Sequence, residues 1–323
     1  MMTILQTTHH KKYYSQHTKS VAVLFLVFIT ILIFSNIRSS TTMSLQDLFN
    51  LLKQTAGLGI ISIGQTLVIL TGGIDLSLGS IITFVHVYII GSMNNDPAMI
   101  LPVCLIGMLI GGMTGLFNGL GVAKAKIAPF IMTLCSDYIL HGLYMIYTKG
   151  QPRGVLADSF RMIGKVRIFG YIPVIVIVWI VLSVLFIFIL KRTTFGTKVH
   201  MIGANSRTSL LSGINNNSII ITVYVISGAL ASLAAIILTM DMSAASLNLG
   251  ADYSLDSIAA TVLGGTLFVG GIGGAEGTFV GSLIIRQITS LLQKANIVNW
   301  AKLIIQSIII ISIVALYSRK KRR

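Results

Sequence analysis

YIPVIVIVWIVLSVLFIFIL, residues 171–190, contains no charged residue. A helix needs roughly 20 apolar residues to cross the hydrocarbon core of a bilayer, and this stretch has that length and composition. Similar blocks recur on both sides of it. Ten candidate spans result: 20–37, 55–71, 75–92, 99–122, 127–148, 171–190, 218–240, 255–270, 274–292 and 301–317. The eighth is short and glycine-rich, as a segment that re-enters the membrane would be. The 323-residue chain is 54% hydrophobic and only 10% charged, whereas soluble domains carry about a quarter charged residues. Too few charges remain to coat a soluble globule, which excludes a soluble enzyme. The fold class expected is an all-α polytopic membrane protein with about ten transmembrane helices, some broken or re-entrant.

The formal net charge of +15 does not point to nucleic acid. Lysines and arginines cluster at the ends of apolar blocks, and Arg319-Lys320-Lys321-Arg322-Arg323 closes the chain. Basic residues flanking spans orient a protein in the bilayer. An even span count puts both basic termini on one side, with Lys124, Lys126 and the loop 191–217 bearing Lys191, Arg192, Lys198 and Arg207. Asn94-Asn95-Asp96 and Asp241 to Ser254, which lack basic residues, fall on the other side. Both termini are therefore expected in the cytoplasm. The segment 149–170 breaks the pattern: it carries Lys149, Arg153, Arg161, Lys165 and Arg167 yet falls outside, so it is an exception or the span count shifts near it. The division expected is a cytoplasmic tail at 1–19, one transmembrane domain at 20–318 and a basic tail at 319–323. The first block follows His9-His10-Lys11-Lys12 and Lys19 with no small-x-small cleavage site, and reads as a retained span.

Catalytic constellations are missing from the sequence. It has no G-x-x-x-x-G-K-[ST] phosphate loop, and Gly270-Gly271-Ile272-Gly273-Gly274 lacks the strand-turn-helix context of a dinucleotide site. Cys104 and Cys135 lie far apart inside apolar blocks and read as small core residues. The histidines lack metal-ligand spacing, so neither metal nor cofactor is expected. Gly107, Gly111, Gly115 and Gly119 recur every fourth residue, as do Gly273, Gly277 and Gly281, a spacing that lets helices approach closely. Both ridges sit near a Gly-Gly and a Phe, which an internal repeat would explain.

Charges inside spans are more informative, because each costs about 2.5–3.5 kcal/mol at the bilayer centre. Asp137 and His141 lie four residues apart in the fifth span and can bond as an i,i+4 pair; they either satisfy each other structurally or line a polar path. Arg286 is near enough to a span end to snorkel. Thr71-Gly72-Gly73-Ile74-Asp75-Leu76-Ser77-Leu78-Gly79 is the sharpest feature. Its glycines break one helix, and Asp75 can accept the first amide hydrogens of the next. Broken helices at membrane depth commonly build transport sites.

The run Gly64 to Ser80 (GQTLVILTGGIDLSLGS) resembles the signature of ribose-type sugar permeases of ATP-binding-cassette transporters. The likeness continues in order through Ile127 to Leu134, Tyr147 to Gly150, Thr194-Phe195-Gly196, Ile202 to Asn205, Leu211 to Ile214 and Leu255 to Gly265, covering about residues 45–317. It implies a channel-forming subunit without enzymatic activity of its own, in a bacterial cytoplasmic (inner) membrane. The implied partners are cytoplasmic ATPase subunits, an extracytoplasmic sugar-binding protein and a second permease copy or homologue. The loop 191–217 matches the family's contact with the ATPase. There Ser206 to Ser212 can form a short helix capped by Asn205 or Ser206 and stopped by Gly213. The coupling residues this implies are Gly203, Asn205, Ser206, Arg207, Leu210, Leu211 and Gly213.

Two departures from the family pattern stand out. Ser206-Arg207-Thr208-Ser209 replaces the usual acidic and alanine residues, and Asp137 and His141-Gly142 stand where relatives often have Arg-Gly after a different residue. The candidate substrate pathway comprises Gln65, Asp75, Ser77, Asn118, Phe130, Thr133, Asp137 and His141, with Phe130 either stacking on a sugar or packing. The competing class is a secondary transporter coupled to protons through Asp137 and His141, with Asp75. Ribose is the leading substrate among pentoses, hexoses and sugar-like signalling molecules.

Overall fold

The computed structural model describes residues 21–33, 44–242, 244–294, 301, 304–305 and 307–308. It is a helical bundle, and each of the first nine expected spans corresponds to a helix. The tenth span lies almost wholly outside the described residues, as do the two terminal tails.

α1 (Val21–Ile33) is followed by α2 (Leu45–Leu70), which opens on a capping box: the Ser44 hydroxyl accepts the Asp47 amide and the Asp47 carboxylate accepts the Ser44 amide. This satisfies two of the amides that a helix start leaves without intrahelical partners. α3 (Leu78–Met93), α4 (Ile100–Ala123) and α5 (Pro129–Thr148) follow. A short α6 (Asp158–Lys165) and an antiparallel hairpin, β1 (Arg167–Ile168) with β2 (Ile172–Pro173), precede α7 (Val174–Arg192). Then come α8 (Thr194–Ala204), α9 (Ser206–Leu211), α10 (Asn216–Asp241), α11 (Tyr253–Leu263) and α12 (Ala275–Lys294).

Among the described residues, three helices are both long and apolar enough to cross a membrane unaided: Pro97–Ala123, Val174–Arg192 and Asn216–Asp241. α2, with 26 residues, and α5 and α12, with 20 each, are long enough at about 1.5 Å per residue. Their polar residues, many turned into the bundle, lower their hydropathy. α11 has 11 residues, about half the length a crossing requires, and ends at Leu263. The expected span 255–270 is thus a half-length helix followed by a turn. The boundary shifts because Gly264 and Gly265 end the helix, Gly265 with φ +89°.

α10 packs against α2, α3 and α4, and α12 against α2, α7 and α11. The first glycine ridge makes the α4–α10 crossing. A Cβ on Gly111 would strike Gly228 O and Ser232 Oγ, and one on Gly115 would strike Tyr224 O. In the second ridge, Gly277 and Gly281 hold α12 against Ala260 of α11 and Gly264 just after it. Gly273 is not part of that helix face: it lies in the preceding loop at φ +136°, against Thr266. On α7, Trp179 is fully buried over Gly59 and stacks on Phe279, with ring centroids 4.4 Å apart.

The bundle has two distinguishable ends. At one, α8 packs on the end of α2, where Gly203 meets Leu70 O and Gly271 N, and Lys191 pairs with Glu276 at 2.9 Å. At the other, Lys53 pairs with Asp241, Arg167 Nη2 donates to Asn50 Oδ1 (3.1 Å), and the Asn95 amide donates to Val155 O (2.8 Å). The basic segment 149–170 therefore sits at the same end as Asn94–Asp96 and Asp241. It is anchored there by buried Phe160 and by Gly164 against Met240. Its basic charge thus sets it apart from the other chain segments at that end.

Candidate functional site

The break between α2 and α3 organises the middle of the bundle. α2 ends in a Schellman arrangement: the Gly72 amide donates to Ile69 O (2.9 Å) and the Gly73 amide to Val68 O (3.0 Å), with Gly72 at φ +83°. Asp75 is fully buried and accepts three hydrogen bonds, from the Ser77 amide (3.0 Å), the Ser77 hydroxyl (2.6 Å) and the Ser227 hydroxyl of α10 (3.3 Å). The network runs on through Asn118 of α4, whose Nδ2 donates to Ser77 Oγ (2.9 Å) and whose Oδ1 accepts from Ser136 of α5. Thr133 Oγ1 accepts the Leu76 amide (3.1 Å). Ser254 Oγ accepts the Gly79 amide and donates to Leu76 O, both at 2.8 Å. Irregular backbone at membrane depth is tolerated only where protein or a water-filled cavity satisfies it. Here side chains of α5 and α11 bond that backbone directly, while α4 and α10 hold Ser77 and Asp75.

Beside this network lies a cavity of about 260 Å³ between α3, α5 and the chain joining α10 to α11. α3 and the residue before Ser77 supply Leu76, Gly79, Ser80 and Thr83; α5 supplies Leu134, Asp137, His141 and Tyr144. The remaining wall is Leu247, Asn248, Gly250, Ala251 and Ser254. That connecting chain runs into the bundle: the Gly250 amide donates to Thr83 Oγ1 (3.0 Å), and the Ser246 amide donates to Nε2 of buried His86 (3.1 Å). Gly79 and Gly250 pass backbone on backbone, with no room for a Cβ on either.

Asp137 and His141 share this cavity but not a hydrogen bond. The expected i,i+4 pair is replaced by His141 Nδ1 with Tyr144 Oη at 2.7 Å, because Tyr144 lies one turn on along the same face and its hydroxyl reaches the ring. The other pathway candidates divide. Asp75, Ser77, Asn118 and Thr133 form the buried network behind Leu76. Gln65 is fully buried in α2, and neither end of its amide has a partner among the described residues. Phe130 is 52% exposed on the outer face of α5, away from the cavity.

At the α8 end, α9 forms as its sequence predicts. Asn205 Oδ1 accepts the Arg207 and Thr208 amides, both at 3.0 Å, and Gly213 follows at φ +77°. Leu210 and Leu211 are 62% and 82% exposed. α9 is tied to the start of α10 by Asn216, which accepts from Ser209 Oγ (2.9 Å) and donates to Ser206 O (2.8 Å). No local sequence pattern singles out Ser136, Ser227, Ser254, His86 or Tyr144. Small hydroxyls in apolar helices carry little signal of their own, since their partners are up to 178 residues away, as Ser254 is from Leu76. Among the described residues no His, Cys, Asp and Glu group could hold a metal ion.

An apolar helical bundle folded around a broken helix and a polar cavity defines a polytopic membrane protein of the transport type. The chain belongs to the family described as branched-chain amino acid transport system / permease component, whose model matches residues 48–314. It is 35% identical over 319 residues to the ribose import permease protein of Bacillus subtilis, covering 98% of each chain. It is 37% identical over 272 residues to the ribose import permease protein of Haemophilus influenzae, covering 83% of this chain and 84% of the other. The galactose/methyl galactoside import permease protein of Escherichia coli is 32% identical over 327 residues, with 93% and 95% covered. No solved structure matches the chain.

Proposed function

We propose that this chain is the membrane-spanning subunit of an ATP-binding-cassette importer that carries a monosaccharide, ribose first, into the cytoplasm of a bacterium. The observation that carries this reading is likeness along nearly the whole chain to the ribose import permease of Bacillus subtilis. ATP hydrolysis takes place on a separate cytoplasmic chain, an extracytoplasmic binding protein delivers the sugar, and a second permease copy or homologue completes the channel. Residues 20–318 form one transmembrane domain of ten spans in the inner membrane, with both basic termini in the cytoplasm. Loops 124–126 and 191–217 then face the ATPase, and 149–170 faces the binding protein.

α9 is the proposed contact with the ATPase. Its two exposed leucines are expensive to leave in water at about 25 cal/mol per Å² and suit a socket on a partner. Movement of α9 reaches the substrate path through α10, which carries both Asn216 at α9 and Ser227 at Asp75. A rigid helix linking the two sites is a plain mechanical route from ATPase closure to the broken helix. Gln65, Asp75, Ser77, Asn118 and Thr133 shape that path from behind. Asp137 and His141 face it. Phe130, on the outer face of α5, is placed to meet the second permease.

The test is uptake of labelled ribose by cells making the chain with its ATPase and binding protein. Depleting ATP abolishes uptake under this reading, while collapsing the proton gradient leaves it largely intact. The reverse pattern would establish the competing reading, a proton-coupled secondary transporter using Asp137 and His141.

A further inference from the structure

The geometry points to the cavity between α3, α5 and the 244–252 segment as a subsite for a monosaccharide in transit, with Asp137 and Ser80 recognising sugar hydroxyls; this rests on the functional reading above. Its volume of about 260 Å³ lies just below the ~300–1,000 Å³ usual for small-molecule sites, which suits a single sugar ring.

Its wall chemistry matches that ligand. A sugar hydroxyl both donates and accepts, so recognition needs acceptors and donors side by side, with apolar surface for the C–H face of the ring. The Asp137 carboxylate, half-buried at the wall, has no hydrogen-bond partner among the described residues, and neither does the Ser80 hydroxyl. His141 uses Nδ1 on Tyr144, which leaves Nε2 to meet a ligand. Leu76 and Leu134 supply the apolar floor. A carboxylate at membrane depth with no internal partner is costly, and a polyhydroxylated ligand or water is what this cavity could offer it. The other hydroxyls nearby are already engaged: Thr83 with Gly79 O and the Gly250 amide, Ser254 with Leu76 O and the Gly79 amide.

The experiment uses the assembled transporter in membranes, with Cys104 and Cys135 changed to serine and Ala251→Cys placed as a reporter on the exposed rim. The rate of labelling by a water-soluble thiol reagent is followed with and without ribose, beside ATP-driven ribose uptake. Ribose is expected to slow labelling several-fold. Asp137→Asn and, separately, Ser80→Ala are expected to remove that protection and to lower uptake about tenfold, as the loss of a charged or well-placed hydrogen bond does. Yield and thermal midpoint should stay as in the parent. Labelling that ignores ribose in a transporter that imports it overturns the subsite and leaves the functional reading standing. Protection that persists in both variants overturns the assignment of Asp137 and Ser80. If the unaltered transporter imports no ribose, the choice of ribose fails on its own. Labelling with galactose and arabinose as probes then decides the subsite: protection by either supports it, and protection by neither overturns it.

Discussion

Nε2 of His86, buried in α3, accepts the backbone N–H of Ser246 at 3.1 Å, so one imidazole holds the chain between α10 and α11 inside the bundle. The ring's tautomer follows from its other bond. Thr239 donates its hydroxyl proton to Ala235 O (2.6 Å), so at 2.9 Å it can only accept from Nδ1–H. Nε2 is then the lone-pair nitrogen, which is what Ser246 requires. Since Leu247, Asn248, Gly250 and Ala251 wall the cavity, the bond also sets the cavity's shape.

His86→Leu should therefore loosen this segment without unfolding the bundle. It leaves the Ser246 amide without its acceptor, a loss of about 1–3 kcal/mol. Amide hydrogen exchange at Ser246 to Gly250 should quicken by tenfold or more, while exchange in α4 and α10 stays unchanged. His86→Gln, which can still offer a carbonyl oxygen, should restore part of the protection. Unchanged exchange in His86→Leu would show that Thr83 and Gly250 hold the segment alone.

The α4–α10 crossing gives a prediction with a built-in control. Gly111 and Gly112 are adjacent, yet a Cβ on Gly111 would collide with Gly228 O and Ser232 Oγ, while one on Gly112 meets nothing within 4 Å. Overpacking of this kind costs about 1–3 kcal/mol. Gly111→Ala should lower the thermal midpoint in detergent by several degrees, and Gly112→Ala should leave it within a degree or raise it. Equal effects from both would mean that the crossing yields easily.

The same glycines show how much of this molecule was readable beforehand. The four-residue spacing of Gly107 to Gly119 announces a helix contact, and a strand of apolar residues announces a span, because both are local patterns. The cap at Asn205 and the stop at Gly213 were legible for the same reason. Asp75 reads in the sequence as a cap on the following helix, but it accepts only the Ser77 amide just before α3, while Ser254 takes the Gly79 amide in the first turn. Its third donor, Ser227, is 152 residues away, and no local pattern announces such a partner. Asp137 and His141 were paired by spacing alone; spacing could not rank Tyr144 against Asp137 as the ring's neighbour. The half-length α11 was foreseen as short, but the inward course of residues 244–252 depends on His86 and Thr83, which look like ordinary span residues.

Asp75 separates a structural carboxylate from a proton-coupling one. It only accepts hydrogen bonds, from two groups of Ser77 and one of Ser227. Asparagine can turn its carbonyl oxygen to Ser77 and donate its amide to Ser227 Oγ. Asp75→Asn should therefore retain folded yield and at least about a third of ATP-driven uptake, whereas Asp75→Leu, which orphans all three donors, should fail to accumulate as folded protein. Each orphaned buried donor costs about 1–3 kcal/mol, enough together to exceed much of the stability of a typical domain. A well-folded Asp75→Asn with no uptake at all would give Asp75 a chemical role beyond holding the break.

α9 offers the cleanest separation of folding from coupling. Leu211 is 82% exposed and Leu210 62%, so replacing them removes almost no contact within this chain, and surface changes of that kind usually stay within about 0.5 kcal/mol. Leu211→Asp should thus leave the thermal midpoint of the isolated permease unchanged. With the ATPase present it puts a charge into a contact read here as apolar, and ATP-driven uptake should fall at least tenfold, together with co-purification of the ATPase. Asn205→Ala acts by another route. It removes the acceptor for the Arg207 and Thr208 amides, costs about 1 kcal/mol of local helix stability, and should weaken uptake only partly. Measuring both variants for stability, ATPase capture and uptake distinguishes a lost contact from a frayed helix. Full uptake in Leu211→Asp would remove α9 from the ATPase interface, and the loop 124–126 would become the next place to look.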